Sequence, residues 1–132
     1  MKNMPRNMSF SLTTEQMRNR TKTVTRRLGW KFLKEGDLVN ACVKCMELKP
    51  GEKIERLGLI RIVSVSEEKL FDLFRYPVYG GREAKHEGFP ELSGFEFVEM
   101  FCRHMKCDVS QVVTRIKFEH VDIRSHRATA RK

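Results

Sequence analysis

Two apolar segments with the pattern of β-strands constrain the fold of this chain more than any other feature. The segment LGLIRIVSV, residues 57–65, is a short run of branched apolar residues of the kind that forms a buried strand. The segment VVTRIKFEHVDI, residues 112–123, alternates between apolar and polar side chains over a longer stretch. The alternation slips by one residue, which predicts a β-bulge in this last strand.

The remaining segments indicate mostly strands, with a few clustered helices. Strands are predicted at 8–12, 21–25 and 38–48, and helical segments at 14–19, 67–74, 83–89 and 94–106, the last capped by Ser93. The segment RYPVYGGR, residues 75–82, contains a proline and two glycines, which predicts a loop. Because the helices are too few and too clustered for a doubly wound fold, the predicted class is α+β, with a mixed or antiparallel sheet that curls into a small barrel.

The length and the hydropathy of the chain favour one domain in the cytoplasm. Its 132 residues are enough for one core, so we predict a single domain over residues 1–123, followed by a basic, disordered tail over 124–132. No apolar run approaches the ~18 residues that span a bilayer, and the first residues have no apolar core of a secretory signal. We therefore expect a cytoplasmic protein without a membrane segment. The sequence leaves its oligomeric state open.

The charge of the chain points towards an anionic partner. The formal net charge is +9 and the pI is about 9.7. A balance of this size favours polyanions such as nucleic acids. The alternative is that the positive charge serves only solubility.

Much of this charge lies in NRTKTVTRR, residues 19–27, which also alternates like a strand. In a tight turn, Lys22 and Thr25 would meet at i and i+3. A threonine hydroxyl is a weak nucleophile that needs a neighbouring base, and a lysine with a lowered pKa can be that base. The alternative is a basic, solvated edge strand, since lysine and arginine commonly protect sheet edges.

The motif KTVTRR, followed by LKEGD, LGLIRIVSV, EAKHEGF and TRIKFEHV, resembles the ASCH domain family over about residues 9–121. The later segment EGFPELSGFEFVEMFCRHMKC resembles a bacterial and phage branch of that family. The resemblance implies a PUA-like small β-barrel with flanking helices. It also implies RNA or a nucleoside as the partner, bound in a cleft beside the barrel.

The residues expected to bind nucleic acid in such a cleft are basic, hydroxyl-bearing or aromatic. They are Arg20, Lys22, Thr23, Arg26, Arg27, Trp30, Tyr76 and Tyr79. Basic side chains interleaved with aromatic ones suit the stacking of unpaired bases. The two tyrosines are expected to be exposed on their loop, whereas Trp30 could instead cover the end of the barrel.

The resemblance also implies a possible activity. Some small bacterial members of the family are amidohydrolases that remove the acetyl group from N4-acetylcytidine with a threonine, a lysine and a glutamate. The matching residues here are Thr25 as nucleophile, Lys22 as base or oxyanion partner, and Glu87 as proton relay to the leaving amine. Because the same three residues suit a binding cleft without chemistry, binding is the leading hypothesis and hydrolysis the alternative. A protein-interaction module is a third.

Four cysteines raise the question of zinc. Cys42 and Cys45 form a CxxC pair, and Cys102 and Cys107 a second, irregular pair. However, the first pair lies in a predicted strand, where positions i and i+3 point to opposite faces. We therefore expect no metal and no cofactor.

Overall fold

A five-stranded mixed sheet organises the protein. The computed structural model describes residues 5–46 and 48–122, so the predicted basic tail lies outside the described residues. The strands are β1 (Arg6–Ser9), β2 (Val24–Arg27), β3 (Leu38–Cys42), β4 (Arg56–Lys69) and β5 (Val112–Val121), in the order β1-β3-β4-β5-β2. Within the described residues, β1 and β3 pair in parallel and the other three strand pairs are antiparallel. The sheet curls into a half-barrel, which confirms the predicted α+β class and the barrel-like sheet.

The helices are short and lie mainly between β4 and β5. A 3₁₀ turn (Ser11–Thr13) leads into α1 (Thr14–Arg18), and α2 (Phe71–Arg75), α3 (Pro77–His86) and α4 (Gly94–Met105) follow β4. Among the described residues, no helix is long and apolar enough to cross a membrane. The helices α2, α3 and α4 pack together and form a second layer against the sheet.

The two longest strands, β4 and β5, pair with each other at the centre of the sheet. The β-bulge that we predicted in β5 lies in β4 instead. The register shifts between Ile62 and Ser64, so Val63 is the extra residue of the bulge. The prediction of a helix beginning at Glu67 was also wrong. Glu67 and Glu68 still pair with β5, because the partner strand runs alongside them to Val112.

The segment predicted to be a loop at 75–82 is instead mostly helix α3. Pro77 occupies the first turn, where its missing N–H has no intrahelical partner to lose. Gly80 lies where a Cβ atom would be 1.9 Å from the Leu73 carbonyl oxygen and 2.9 Å from the Gly94 Cα. The glycine therefore marks a close helix approach and not a turn.

Helix α4 begins and ends as its sequence indicates. Ser93 caps it with a complete capping box, in which Ser93 and Glu96 each accept a backbone hydrogen bond from the other. At the other end Lys106 has a left-handed backbone (φ 57°), and the Cys107 N–H donates to the Cys102 carbonyl oxygen at 3.1 Å. Such a bond, from the second residue past the helix to the fourth-last residue of the helix, belongs to the Schellman motif.

Two apolar clusters lie on opposite faces of the sheet. The barrel cluster includes Phe10, Ile116 and Phe118 inside the curled sheet. The helical cluster includes Phe97 and Val113, between the sheet and the helices. The boundary between the two clusters is open along β2, and the polar residues of the KTVTRR motif lie there.

Candidate functional site

Strand β2 divides its side chains between the two layers. Thr25 and Arg27 share one face, because side chains alternate along a strand. Thr25 lies opposite Ile116, a member of the barrel cluster. Arg26 points to the other face and lies opposite Arg115. The adjacent arginines therefore belong to different environments.

Lys22 and Glu87 form a buried ion pair at the start of β2. The Thr23 N–H donates to the His86 carbonyl oxygen at 2.8 Å, which brings the end of α3 beside β2. Lys22 Nζ donates to Glu87 Oε1 at 2.7 Å and to the Glu87 carbonyl oxygen at 2.8 Å. Burial lowers the pKa of Lys22, and the Glu87 carboxylate only partly opposes this shift.

Arg26 lies at the centre of a buried network of carboxylates. Its Nε donates to Glu68 at 2.8 Å and its Nη1 to Glu87 at 3.0 Å, while its Nη2 donates to Glu83. Burial disfavours the charge of Arg26, but the Glu87 and Glu68 carboxylates outweigh it and raise its pKa. The side chain of Arg26 is fully buried and three of its nitrogens donate to carboxylates, so its direct contact with a ligand stays a prediction.

Glu83 is held ionised by two arginines. Arg115 donates to both of its carboxylate oxygens, and Arg26 donates to one. Burial favours the neutral acid, but these hydrogen bonds outweigh it and lower the pKa of Glu83 to about 2. Three cations and three carboxylates are thus neutralised inside the protein: Lys22, Arg26, Arg115, Glu68, Glu83 and Glu87.

Arg27 differs from Arg26 because no carboxylate pairs with it directly. Its Nε donates to Thr25 Oγ1 at 3.0 Å, and its guanidinium lies over the Phe10 ring at 4.6 Å from the centroid. Burial lowers the pKa of Arg27 to about 10, so the group stays charged at neutral pH. Among the described residues, its two Nη atoms have no hydrogen-bond partner.

These groups border one cavity of about 250 Å³ between β2 and α4. Its polar wall is formed by Lys22, Thr25, Arg26, Arg27 and Glu87, and residues 9–13 also line it. Its opposite wall is aromatic and sulfur-containing, from Phe89 and α4. The members of that wall are Phe89, Phe97, Met100, Phe101 and Met105, with His104 at the end of the helix. We call this space the β2–α4 cleft.

The structure leaves the other predicted nucleic-acid residues outside this cleft. Arg20 is exposed and has a left-handed backbone (φ 63°). Thr23 is half-buried, and its backbone bridges α3 and β5. Trp30 packs against the barrel cluster and against Phe32. This position agrees with the alternative that Trp30 covers the end of the barrel.

The two tyrosines differ from one another. Tyr76 is exposed, with the guanidinium of Arg75 over its ring. Tyr79 is half-buried in α3, and its hydroxyl donates to Glu68, so the expectation that it is exposed on a loop was wrong. Burial and the hydrogen bond to Glu68 raise the pKa of Tyr79 to about 12, so its hydroxyl remains a donor.

Sequence reasoning missed Glu68 and Glu83 as partners of the motif. Glu83 and Glu87 are four residues apart, which places them on one face of a helix. A helix predicted over residues 77–86 would have indicated that the two glutamates lie together. The glycines led to the prediction of a loop instead. The sequence analysis also did not identify the residues of α4 that line the cleft.

The cysteines remain separate thiols in the described part of the chain. Cys42 is buried, while Cys45, Cys102 and Cys107 are half-buried, and all four are free. Within residues 5–46 and 48–122, no group of three or more His, Cys, Asp or Glu side chains could hold a metal ion.

Comparison with known proteins identifies the fold. No protein-family model matches the sequence, and no curated protein matches it either. Among solved structures, the chain is similar to the ASCH domain from Lactobacillus crispatus JV V101, a high-resolution crystal structure, with a TM-score of 0.56 and 13% sequence identity. The match covers 87% of this chain and 78% of that one. The protein therefore has the fold of an ASCH domain.

Proposed function

We propose that the protein binds a nucleoside, free or as an unpaired residue of an RNA, in the β2–α4 cleft. One observation carries the proposal: Lys22, Thr25, Arg26, Arg27 and Glu87 border a single cavity, and another wall of that cavity is aromatic and sulfur-containing. Ligand pockets typically combine an apolar lining with a few placed polar groups. An aromatic and methionine wall suits the face of a base, and the polar wall suits its edge and its sugar.

The size of the cleft supports a single nucleoside over a length of RNA. A volume of about 250 Å³ lies just below the range of pockets for drug-sized molecules, which begins at about 300 Å³. Proteins that recognise single-stranded RNA commonly splay out one base and stack it on aromatic side chains. In an RNA complex, the unpaired Nη atoms of Arg27 would contact a phosphate or a base carbonyl.

Replacing Arg27 by glutamine should weaken this binding. A hydrogen bond to a charged group contributes about 1.5–3 kcal/mol, so we expect a loss of about 10- to 100-fold in affinity for a nucleoside or a short single-stranded RNA. The matched control is Arg20→Gln, which removes an exposed arginine outside the cleft. Isothermal titration of both variants at two salt concentrations measures the effect. Equal losses in the two variants would indicate only general charge attraction and would contradict a specific site.

A second candidate function, hydrolysis of an N-acylated nucleoside, is favoured by the burial of Lys22. A buried lysine with a lowered pKa can accept a proton from Thr25 Oγ1 as that oxygen attacks the acyl carbon. The guanidinium of Arg27 beside Thr25 would stabilise the oxyanion. Glu87 would relay the proton from Lys22 to the leaving amine, and water would then release the acyl group from Thr25.

Hydrolysis is tested with N4-acetylcytidine by following the appearance of cytidine. We expect Thr25→Ala to abolish turnover, because it removes the hydroxyl that attacks the acyl carbon. The control is Thr23→Ala, which removes the neighbouring hydroxyl that does not border the cleft. Turnover that survives in Thr25→Ala would contradict the mechanism, and binding without turnover in the unaltered protein would leave the first function standing.

The pH dependence of turnover would identify Lys22 as the base. The active form has neutral Lys22, so the rate should rise with pH, and the lowered pKa moves that rise below the ordinary value of 10.5. Glu87→Gln removes the proton relay, so we expect only a residual rate. Because the Glu87 carboxylate raises the pKa of Lys22, the rise of that residual rate should shift to still lower pH. A pH–rate profile of each protein tests this order, and a shift to higher pH would contradict it.

A further inference from the structure

The end of α4 brings two cysteines into contact beside the cleft. Cys102 is the fourth-last residue of α4 and accepts the Schellman hydrogen bond described above, and Cys107, its donor, directly follows the left-handed Lys106. The side chains at these two positions commonly contact each other. Both thiols also pack against the helical cluster, on the same side of the helix end.

The surroundings of the two sulfurs allow a reagent to reach them. Cys102 and Cys107 are half-buried, whereas Cys42 is fully buried. Burial, followed by the hydrogen bond between the two thiols, raises the pKa of Cys102 to about 11. Because the thiolate is the attacking species, the raised pKa makes Cys102 a poor first nucleophile.

We propose that Cys102 and Cys107 form a reversible disulfide bond that closes the C-terminal end of α4. The bond requires two Cα atoms within a few ångströms, and the backbone hydrogen bond between these same residues holds them close. The last turn that it would fix carries His104 and Met105, which line the β2–α4 cleft. The proposal is independent of the ligand that the cleft binds.

A small-molecule disulfide such as glutathione disulfide is the oxidant. The Cys107 thiolate attacks one of its sulfurs and releases one glutathione thiolate. The Cys102 thiolate then attacks the Cys107 sulfur of the mixed disulfide and releases the second glutathione. The two protein thiols lose two electrons and two protons in total, and the glutathione disulfide is reduced to two glutathione molecules.

The test is disulfide mapping of the reduced full-length protein in glutathione buffers of graded oxidising strength, followed by alkylation, trypsin digestion and mass spectrometry. Trypsin cleaves after Arg103 and Lys106, so the cross-link joins two separate peptides, residues 86–103 and 107–115. We expect this cross-linked species. The ratio of glutathione disulfide to reduced glutathione at which half of the protein is cross-linked should be at least about tenfold lower in native buffer than in denaturant. Separate alkylated or glutathione-modified peptides without the cross-link would overturn the proposal.

Two variants keep the test specific. Cys107→Ser should remove the cross-link and leave Cys102 as a free or glutathione-modified thiol. Cys45→Ser removes a half-buried thiol from the other pair and should leave the cross-link unchanged. A cross-link between Cys42 and Cys45 in place of the proposed pair would contradict the proposal. So would half-maximal cross-linking at the same glutathione ratio in native buffer and in denaturant, because the folded end of α4 would then have no effect.

Discussion

Replacing Arg26 by methionine is expected to lower the free energy of unfolding by about 3–5 kcal/mol, because it leaves buried carboxylates without their shared cation. Glu68, Glu83 and Glu87 all accept hydrogen bonds from the fully buried Arg26 side chain. Methionine has a similar length, so the change removes the charge while it fills most of the space. Urea denaturation of the variant and the unaltered protein measures the difference.

The control for Arg26 is Arg61→Met. Arg61 also pairs with a glutamate, Glu119, at 2.8 Å, but both side chains are well exposed, at 42% and 54%. Exposed pairs contribute about 0–1 kcal/mol, so this variant should remain near the unaltered protein. A loss of less than about 1 kcal/mol in Arg26→Met would contradict a stabilising network.

Acid unfolding gives a second measure of the same network. Glu83 has a lowered pKa of about 2 in the folded protein against an ordinary value of 4.5, so its stabilising contribution is present above pH 4.5 and is lost as the pH falls towards 2. Without the hydrogen bond from Arg26, the folded pKa of Glu83 should rise. The midpoint of acid unfolding of Arg26→Met should therefore move to higher pH.

Gly80→Ala is expected to lower the free energy of unfolding by about 3 kcal/mol, the upper end of the usual range for overpacking. The added Cβ would meet the Leu73 carbonyl oxygen and the Gly94 Cα, both of which are backbone and cannot rotate away. The helices α2, α3 and α4 would have to separate. Circular dichroism during urea denaturation measures the loss.

Gly81→Ala is the matched control, one residue further along the same helix. Nothing lies within 4 Å of the Cβ that it would add. Because alanine is a better helix former than glycine by up to about 1 kcal/mol, this variant should be as stable as the unaltered protein or more stable. The same effect in both variants would contradict the close approach at Gly80.

The sequence predicted those parts of the fold that depend on local patterns. The alternation of residues 112–121 and the cap at Ser93 are local signals, and the structure has both elements. Helix α3 was missed because a proline and two glycines usually interrupt a helix. The role of Gly80 becomes visible only in its packing against α4. The bulge was placed on the wrong strand, since a register slip is visible in the pattern of either partner.

The candidate site was predictable only in part. The spacing of Lys22 and Thr25 and the resemblance to the ASCH family selected residues that border one cavity. The pairing of Arg26 with buried carboxylates was not predictable. Its partners lie 42–61 residues away along the chain, and only the fold of the sheet and α3 brings them together. Neighbouring arginines in a basic motif look alike in sequence, and only burial distinguishes them.

The alternation of β2 has an evolutionary consequence. Thr25 and Arg27 share one face of the strand and border the cleft, whereas Arg26, which also borders it, is held by the carboxylate network. Substitutions at 25 and 27 can therefore change what the cleft accepts at little cost to folding, while substitutions at 26 are removed by selection for a folded chain. A single short strand thus combines residues that can meet a ligand with a residue that holds the architecture.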